Sequence, residues 1–357
     1  MKKSGIFICI LFGLFIAINS FSPICIAAEP SKPRLVKLAA STAESTFFGT
    51  HVKWWIGEIE KRTDGRIKIQ PFFMESLVKA KDMLPAIQSS YTDIGYVIAI
   101  YFPSYFPQYT LLDHQNNCYQ DYRASLMASI ETAEKEPHIK AELEKQKVFL
   151  LFPYMSGFTF TGGKEPIKSV TDFRGKPVRT AGAGRAQFYA NLGATPVPMT
   201  GPETYEALSR GTVWATGDNG PSLIVSYKLY EVGKYWYMTN QGVPAAAGYY
   251  MNLDTFRKLP EDIQDIIIKL RREYAERFGK SLMDYERDFM RELETKHGCK
   301  FIAPSPEDKK IIFEAGEKTN EKMITQAQSD GYPAAREVVK FYRAALERYE
   351  AEYAKKK

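Results

Sequence analysis

A single arginine in the stretch from Asp172 to Pro221 stands where a ligand would be met. Arg179 closes the short β-favouring run Pro177-Val178-Arg179-Thr180. A guanidinium is permanently charged, and its planar fork of N–H donors matches a carboxylate through two parallel hydrogen bonds. The residues around it read as strand, loop, helix, strand, helix, strand. Gly182 and Gly184 interrupt the first strand as a loop. Phe188, Tyr189 and Leu192 give the next helix an apolar face, and Gly193 suits the position just past a helix end. A second strand over Ala194–Val197 leads through Gly201-Pro202 into a helix ending at Arg210-Gly211, and a third strand starts near Thr212. In open α/β sheets ligands lie outside the carboxyl ends of the strands, which is where this order puts Arg179.

The remaining reactive residue types do not assemble into a catalytic pattern. The four histidines, His51, His114, His138 and His297, are scattered and show no HExxH spacing. Neither a GxSxG elbow nor a phosphate-binding loop is present. Gly182-Ala183-Gly184 lacks the third glycine of a dinucleotide fingerprint and reads as a flexible loop. With no CxxC there is no zinc or redox argument. The sequence therefore points to binding, with no cofactor, no metal and no catalytic residue. Arg185, at a possible helix start, reads as a surface or hinge residue. Asp218 belongs to Asp-Asn-Gly, which is equally a turn former and a polar contact, and Glu44 after the first strand is equally a helix-start acid.

Elements that would hold such a site alternate along the chain. Arg34–Ala39 reads as a strand, followed by a helix carrying Phe48, Val52, Trp55 and Ile59 at helical spacing and ending at Asp64-Gly65. Strand 66–71, helix 81–90, strand 92–97 and strand 147–153 follow. This alternation predicts parallel sheets covered by helices. From Pro260 to Gly298 runs one long charged helix, with Pro260 and two acids at its start and a stripe of Ile263, Ile266, Ile267 and Leu270. Ser305 to Lys357 reads as two further charged helices.

Composition bounds the setting. The 357 residues suggest two domains, and 45% hydrophobic content suffices for real cores. Lys2 and Lys3, the apolar run from Ile6 to about Phe21 and Cys25-Ile26-Ala27-Ala28 have the order of a cleaved secretory leader over residues 1–28, which implies a periplasmic protein. Net charge is +6, falling by two to +4 without Lys2 and Lys3. That is too mild, and too evenly mixed with acids, to indicate nucleic acid. Outside the leader only Cys118 and Cys299 remain as a possible pair.

Several strings, taken in order, resemble one family over roughly Leu35 to Tyr349: the extracytoplasmic solute-binding subunits of tripartite ATP-independent periplasmic (TRAP) transporters, of the dicarboxylate-receptor type. They are Asp172-Phe173-Arg174-Gly175-Lys176-Pro177-Val178-Arg179, Leu192-Gly193-Ala194-Thr195-Pro196-Val197-Pro198-Met199, and the run from Glu203 to Val213. Tyr230-Glu231-Val232-Gly233-Lys234-Tyr235, Thr239-Asn240 and Met251-Asn252 continue the match. The resemblance implies an α/β two-domain periplasmic binding protein of type II-like architecture, each domain a mostly parallel sheet flanked by helices, with the long helix spanning both. One domain would comprise 29–153 with about 245–300, the other 154–244 with about 301–357, the C-terminal helices packing across both.

It further implies that Arg179 grips the carboxylate of an organic acid, that the domains close over it by hinge motion, and that a monomer delivers it to TRAP membrane subunits. The sequence departs from the family at two places. Thr159 stands where many members carry a second arginine, which argues against a second ligand carboxylate. Trp214 stands where an acid is common, and one alignment puts Gly217 and Asp218 at the contact positions while a one-residue shift favours Asn219. Phe47, Tyr96, Tyr154, Trp214 and Trp236 are candidate aromatic walls, and Glu44 a candidate polar contact. Together they suggest a monocarboxylate with an aromatic or hydroxylated body. Two other classes stay open on the same pocket: a secreted enzyme acting on a carboxylate, with Asp218 or Glu44 as its base, and a sensor domain serving a receptor.

Overall fold

The apolar positions picked out by helical spacing are the buried ones. Phe48, Val52, Trp55 and Ile59 line the inner face of the helix Phe47–Arg62, which Thr46 caps by accepting the Gly49 amide. The computed structural model describes residues 33–115, 121–155, 157–240 and 246–355. Its strands are β1 (Arg34–Ala39), β2 (Ile67–Phe72), β3 (Ile94–Ile98), β4 (Val148–Pro153), β5 (Phe160–Gly163), β6 (Pro177–Thr180), β7 (Thr195–Pro198), β8 (Ala215–Asn219), β9 (Tyr235–Met238), β10 (Ala247–Asn252) and β11 (Lys300–Ile302).

They form two sheets. The first has the order β2-β1-β3-β10-β4 and the second β11-β9-β5-β8-β6-β7. Each is mostly parallel, as expected, with one reversed strand: β10 runs against β3 and β4, and β5 against β8 and β9. These two reversed strands are where the chain enters a sheet from the other one, so the reversal follows from the crossover. Neither strand carries a sequence signal that marks it. The buried run Ala-Gly-Tyr-Tyr-Met-Asn of β10 shows no alternation to betray it, since a strand covered on both faces has no polar side.

Helix Glu261–His297 ties the sheets together. At about 1.5 Å per residue its 37 residues extend about 55 Å. It packs on β4 and the helices Phe47–Arg62 and Tyr122–Lys135 beside the first sheet, then on helix Pro221–Ser226 and β11 beside the second. Ile263, Ile267, Leu270, Tyr274, Phe278 and Leu282 form the buried stripe, whereas Ile266 is half-buried. Gly298 ends the helix in the left-handed conformation (φ 66°), which a Cβ would disfavour. The two C-terminal helices divide their allegiance. Pro306–Ser329 packs on the helix Gly182–Asn191 of the second sheet and Ala335–Ala354 on Tyr122–Lys135 of the first.

Two sequence readings shift locally. Gly182-Ala183-Gly184 is the first turn of the helix Gly182–Asn191, not a loop, and the strand expected from Thr212 begins at Ala215. Cys299 is a buried core residue beside Trp236, and Cys118 lies outside the described residues, as does the leader.

Candidate functional site

Between the two sheets, at the carboxyl ends of β3, β4, β6, β7 and β8, lies a cavity of about 60 Å³. The first sheet side supplies Tyr96, Ile98, Ile100, Tyr101, Tyr154 and Met155. The second supplies Thr159, Arg179, Ala181, Arg185, Gly201, Asp218 and Asn219, with Leu223 and Tyr227 from the helix Pro221–Ser226 and the residue that caps it. The position is the one that strand-end geometry favours for ligands.

Arg179 leaves β6 with its guanidinium held from behind by backbone. Nη1 donates to the Gly217 carbonyl at 3.3 Å and Nη2 to the Met199 carbonyl at 3.0 Å, while Nε has no hydrogen-bond partner. The side chain is only 3% exposed. Two carbonyl dipoles orient a buried cation without neutralising it, and a buried charge that lacks a counter-ion is costly.

Asp218 supplies part of the counter-charge. Its Oδ2 accepts the Ala181 amide at 3.1 Å, and its Oδ1 lies 3.5 Å from Arg185 Nε without a hydrogen bond. Burial pushes its pKa up, opposed by the positive charges of Arg185 and then Arg179. Its backbone is left-handed (φ 65°), a conformation that Asp and Asn tolerate better than most residues. Asn219 is turned to the frame: its Nδ2 donates to Thr216 Oγ1 at 2.9 Å and to the Gly217 carbonyl at 2.7 Å. Of the three residues left open by the alignment, Asp218 and Asn219 border the cavity and Gly217 does not. Asp218 brings a charge to it, whereas the Asn219 amide braces the end of β8.

Gly217 contributes through its carbonyl and through what it lacks. A Cβ there would strike the ring and hydroxyl of Tyr189, which is fixed by a 2.5 Å contact with Thr161 Oγ1. Tyr96 and Tyr154 do form an aromatic wall, their ring centroids 4.7 Å apart, and burial raises both phenols well above their ordinary pKa.

Four residues expected at the site lie elsewhere. Trp214 precedes β8, donates its indole N–H to Glu165 at 3.1 Å and packs edge-on against Phe173. Trp236, on β9, is fully buried with Phe160, Leu229 and Leu293. Phe47 stacks on Tyr285 of the long helix at 3.9 Å. Glu44 is exposed and pairs with Lys53 at 2.8 Å. In each case a local partner, core or surface, has taken the side chain.

Arg185 is the reverse case. Expected at the surface, it is 2% exposed and borders the cavity, because the helix starts at Gly182 and its first turn faces inward. Tyr101 and Tyr227 also border the cavity, with no sequence signal that marks them. The Tyr101 hydroxyl accepts the Gly201 amide at 3.1 Å, and Lys81 and Glu203 pair at 2.8 Å, so both contacts join the first sheet's side to the second's.

A cavity between two α/β sheets joined by crossing strands and one long helix defines a two-domain solute-binding protein. The family model of bacterial extracellular solute-binding proteins, family 7, matches residues 38–327, and the chain belongs to that family, the solute-binding proteins of TRAP transporters. A monocarboxylate 2-oxoacid-binding periplasmic protein of Nostoc sp. is 26% identical over 218 residues, covering 58% of this chain and 57% of its own. A TRAP periplasmic solute-binding protein of Desulfovibrio salexigens, solved as an open complex, superposes with a TM-score of 0.73 at 25% identity, covering 88% of this chain and 96% of its own. A TRAP solute-binding protein of Bordetella bronchiseptica with bound (R)- and (S)-mandelate superposes with a TM-score of 0.76 at 22% identity, covering 89% and 100%.

Proposed function

We propose that this extracytoplasmic receptor captures a monocarboxylate organic acid in the cavity between its sheets, holds the carboxylate on Arg179, and hands the acid to TRAP-type membrane subunits. The observation that carries the reading is the buried Arg179 guanidinium, fixed by two carbonyls and still holding a free Nε donor. Among the lining residues two arginines face one carboxylate, so a monoanion brings the cavity to neutrality. A buried cation paired in this way gains from water exclusion when the domains close. The Nostoc relative binds monocarboxylate 2-oxoacids and the Bordetella neighbour mandelate, which are both monocarboxylates.

In this reading residues 29–153 with about 245–300 close against 154–244 with about 301–357, and the C-terminal helices bridge the two. Residues 1–28 are removed on export to the periplasm, and the receptor acts as a monomer without catalysis. The test is thermal unfolding of protein stripped of ligand by unfolding and refolding, against monocarboxylates, dicarboxylates and sugar acids. A ligand that binds only the folded state raises the midpoint by mass action. Monocarboxylates should raise it, and Arg179→Ala, folded by circular dichroism, should lose the response. An equal response in the variant would refute the clamp.

A further inference from the structure

A second buried atom without a hydrogen-bond partner belongs to a residue bordering the cavity, and it is an acceptor. Asp218 Oδ1 accepts no hydrogen bond, although the Ala181 amide satisfies Oδ2 and Arg185 Nε stands 3.5 Å away. Buried polar atoms in folded proteins are nearly always hydrogen-bonded, so an orphan that borders a cavity calls for a partner from the occupant. Arg179 Nε is the matching orphan donor on the same cavity. The occupant must therefore present an anionic acceptor to one and a donor to the other.

Charge narrows the donor. Arg179, Arg185 and Asp218 are the charged residues among the described residues lining the cavity, and together they carry one positive charge. A monoanion with a neutral hydroxyl cancels it. A zwitterionic amino acid leaves the positive charge standing, and a dicarboxylate overshoots while placing its second carboxylate against Asp218. Unbalanced charge is expensive at this burial.

Resting on the carboxylate reading of Arg179, we propose that Asp218 is the specificity-determining residue and that the ligand is a hydroxy acid with one carboxylate, its hydroxyl donating to Oδ1. Calorimetric titration of the stripped protein with lactate, propionate, pyruvate, alanine and malonate compares acids of one chain length. Mandelate against phenylacetate repeats the hydroxyl comparison with a ring attached. Lactate should bind at least about tenfold more tightly than propionate, as a hydrogen bond to a charged group implies, and malonate should be the weakest.

Asp218→Asn retains an acceptor for the Ala181 amide and suits the left-handed backbone. It should bring lactate and propionate to within about threefold, because the charge-assisted bond is gone, and it should admit malonate. Asp218→Gly checks the same ratio with no side chain at the position. Wild-type protein that binds propionate as tightly as lactate and phenylacetate as tightly as mandelate, or malonate as tightly as either short acid, overturns the assignment. So does a hydroxyl preference that survives both variants. If Arg179→Ala still abolishes binding in that case, the carboxylate clamp stands and only the role of Asp218 falls. Acids that bind equally well to Arg179→Ala would remove the clamp itself.

Discussion

Replacing Glu286 with glutamine should flatten the decline in stability that the wild-type protein shows above neutral pH. Glu286 lies about two-thirds of the way along the long helix, 4% exposed, where the chain crosses from β4 to β5. The Tyr122 hydroxyl donates to its Oε2 and itself accepts the Phe158 amide at 2.8 Å, while Oε1 has no hydrogen-bond partner. Gly157, at φ 75°, leaves room for that oxygen, since any Cβ there would collide with it. Burial, the largest cause, pushes the Glu286 pKa up to about 8 from its ordinary 4.5.

A folded pKa above the unfolded one means that the folded state binds the proton more tightly. The stabilising contribution is complete below pH 4.5 and is lost progressively as pH rises to about 8. At about 1.36 kcal/mol per pKa unit the whole loss is about 5 kcal/mol as an upper bound. His51 works in the opposite direction. Its pKa is lowered to about 4, mainly by burial and then by the charge of Arg277, so its contribution is present above 6.5 and lost as pH falls toward 4. Between pH 4.5 and 6.5 the two slopes offset each other, but from 6.5 to 8 Glu286 acts without His51, over a loss of about 2 kcal/mol. Glutamine has the shape of the neutral acid and does not titrate. Urea unfolding at constant ionic strength across this window should show the wild-type free energy falling by about that amount while Glu286→Gln stays level. Parallel profiles for the two proteins would mean that the buried carboxyl is not what titrates there.

Other consequences are simpler. Gly217→Ala drives a Cβ into Tyr189 and should cost about 1–3 kcal/mol by urea unfolding, with weaker acid binding because the Gly217 carbonyl that orients Arg179 must move. Lys81→Ala removes a pair whose side chains are 63% and 46% exposed, so stability should change by less than about 1 kcal/mol. Stopped-flow release of bound acid should nevertheless speed up, by roughly fivefold at most, and the difference should vanish at high salt. Trp214→Phe loses the bond to Glu165 and should leave acid affinity unchanged by titration, since the indole stands away from the cavity.

Local rules make much of the frame legible in the sequence. Gly193, Gly211 and Gly298 end their helices in the left-handed conformation because only glycine adopts it without cost, and each was readable as punctuation. The buried faces of the helices Phe47–Arg62 and Glu261–His297 followed from spacing. The reversed strands β5 and β10 did not, because a crossover is fixed by pairing between distant segments and leaves no periodicity behind. Aromatic content was a poor guide for the same reason. Tyr96 and Tyr154 meet in the cavity wall while Trp236 sinks into a core and Phe47 onto Tyr285, although all four are large, apolar and near a strand or helix end.

Arg185 shows where sequence reading of the site stops. Gly182-Ala183-Gly184 looks like a loop by composition, and an arginine after a loop is ordinarily solvated. The structure instead begins a helix at Gly182, and Gly182 lies close against Ile100 of the opposite side, in space that any larger residue would have to share. That close approach brings the first turn to the cavity and sets Arg185 beside Asp218, a residue 33 positions further along the chain. The charge balance that favours a monoanion depends on this pair, and neither member identifies it alone. Arg179 was legible because one residue type at one strand end has few other uses, whereas the group that tempers its charge exists only once two distant turns have met.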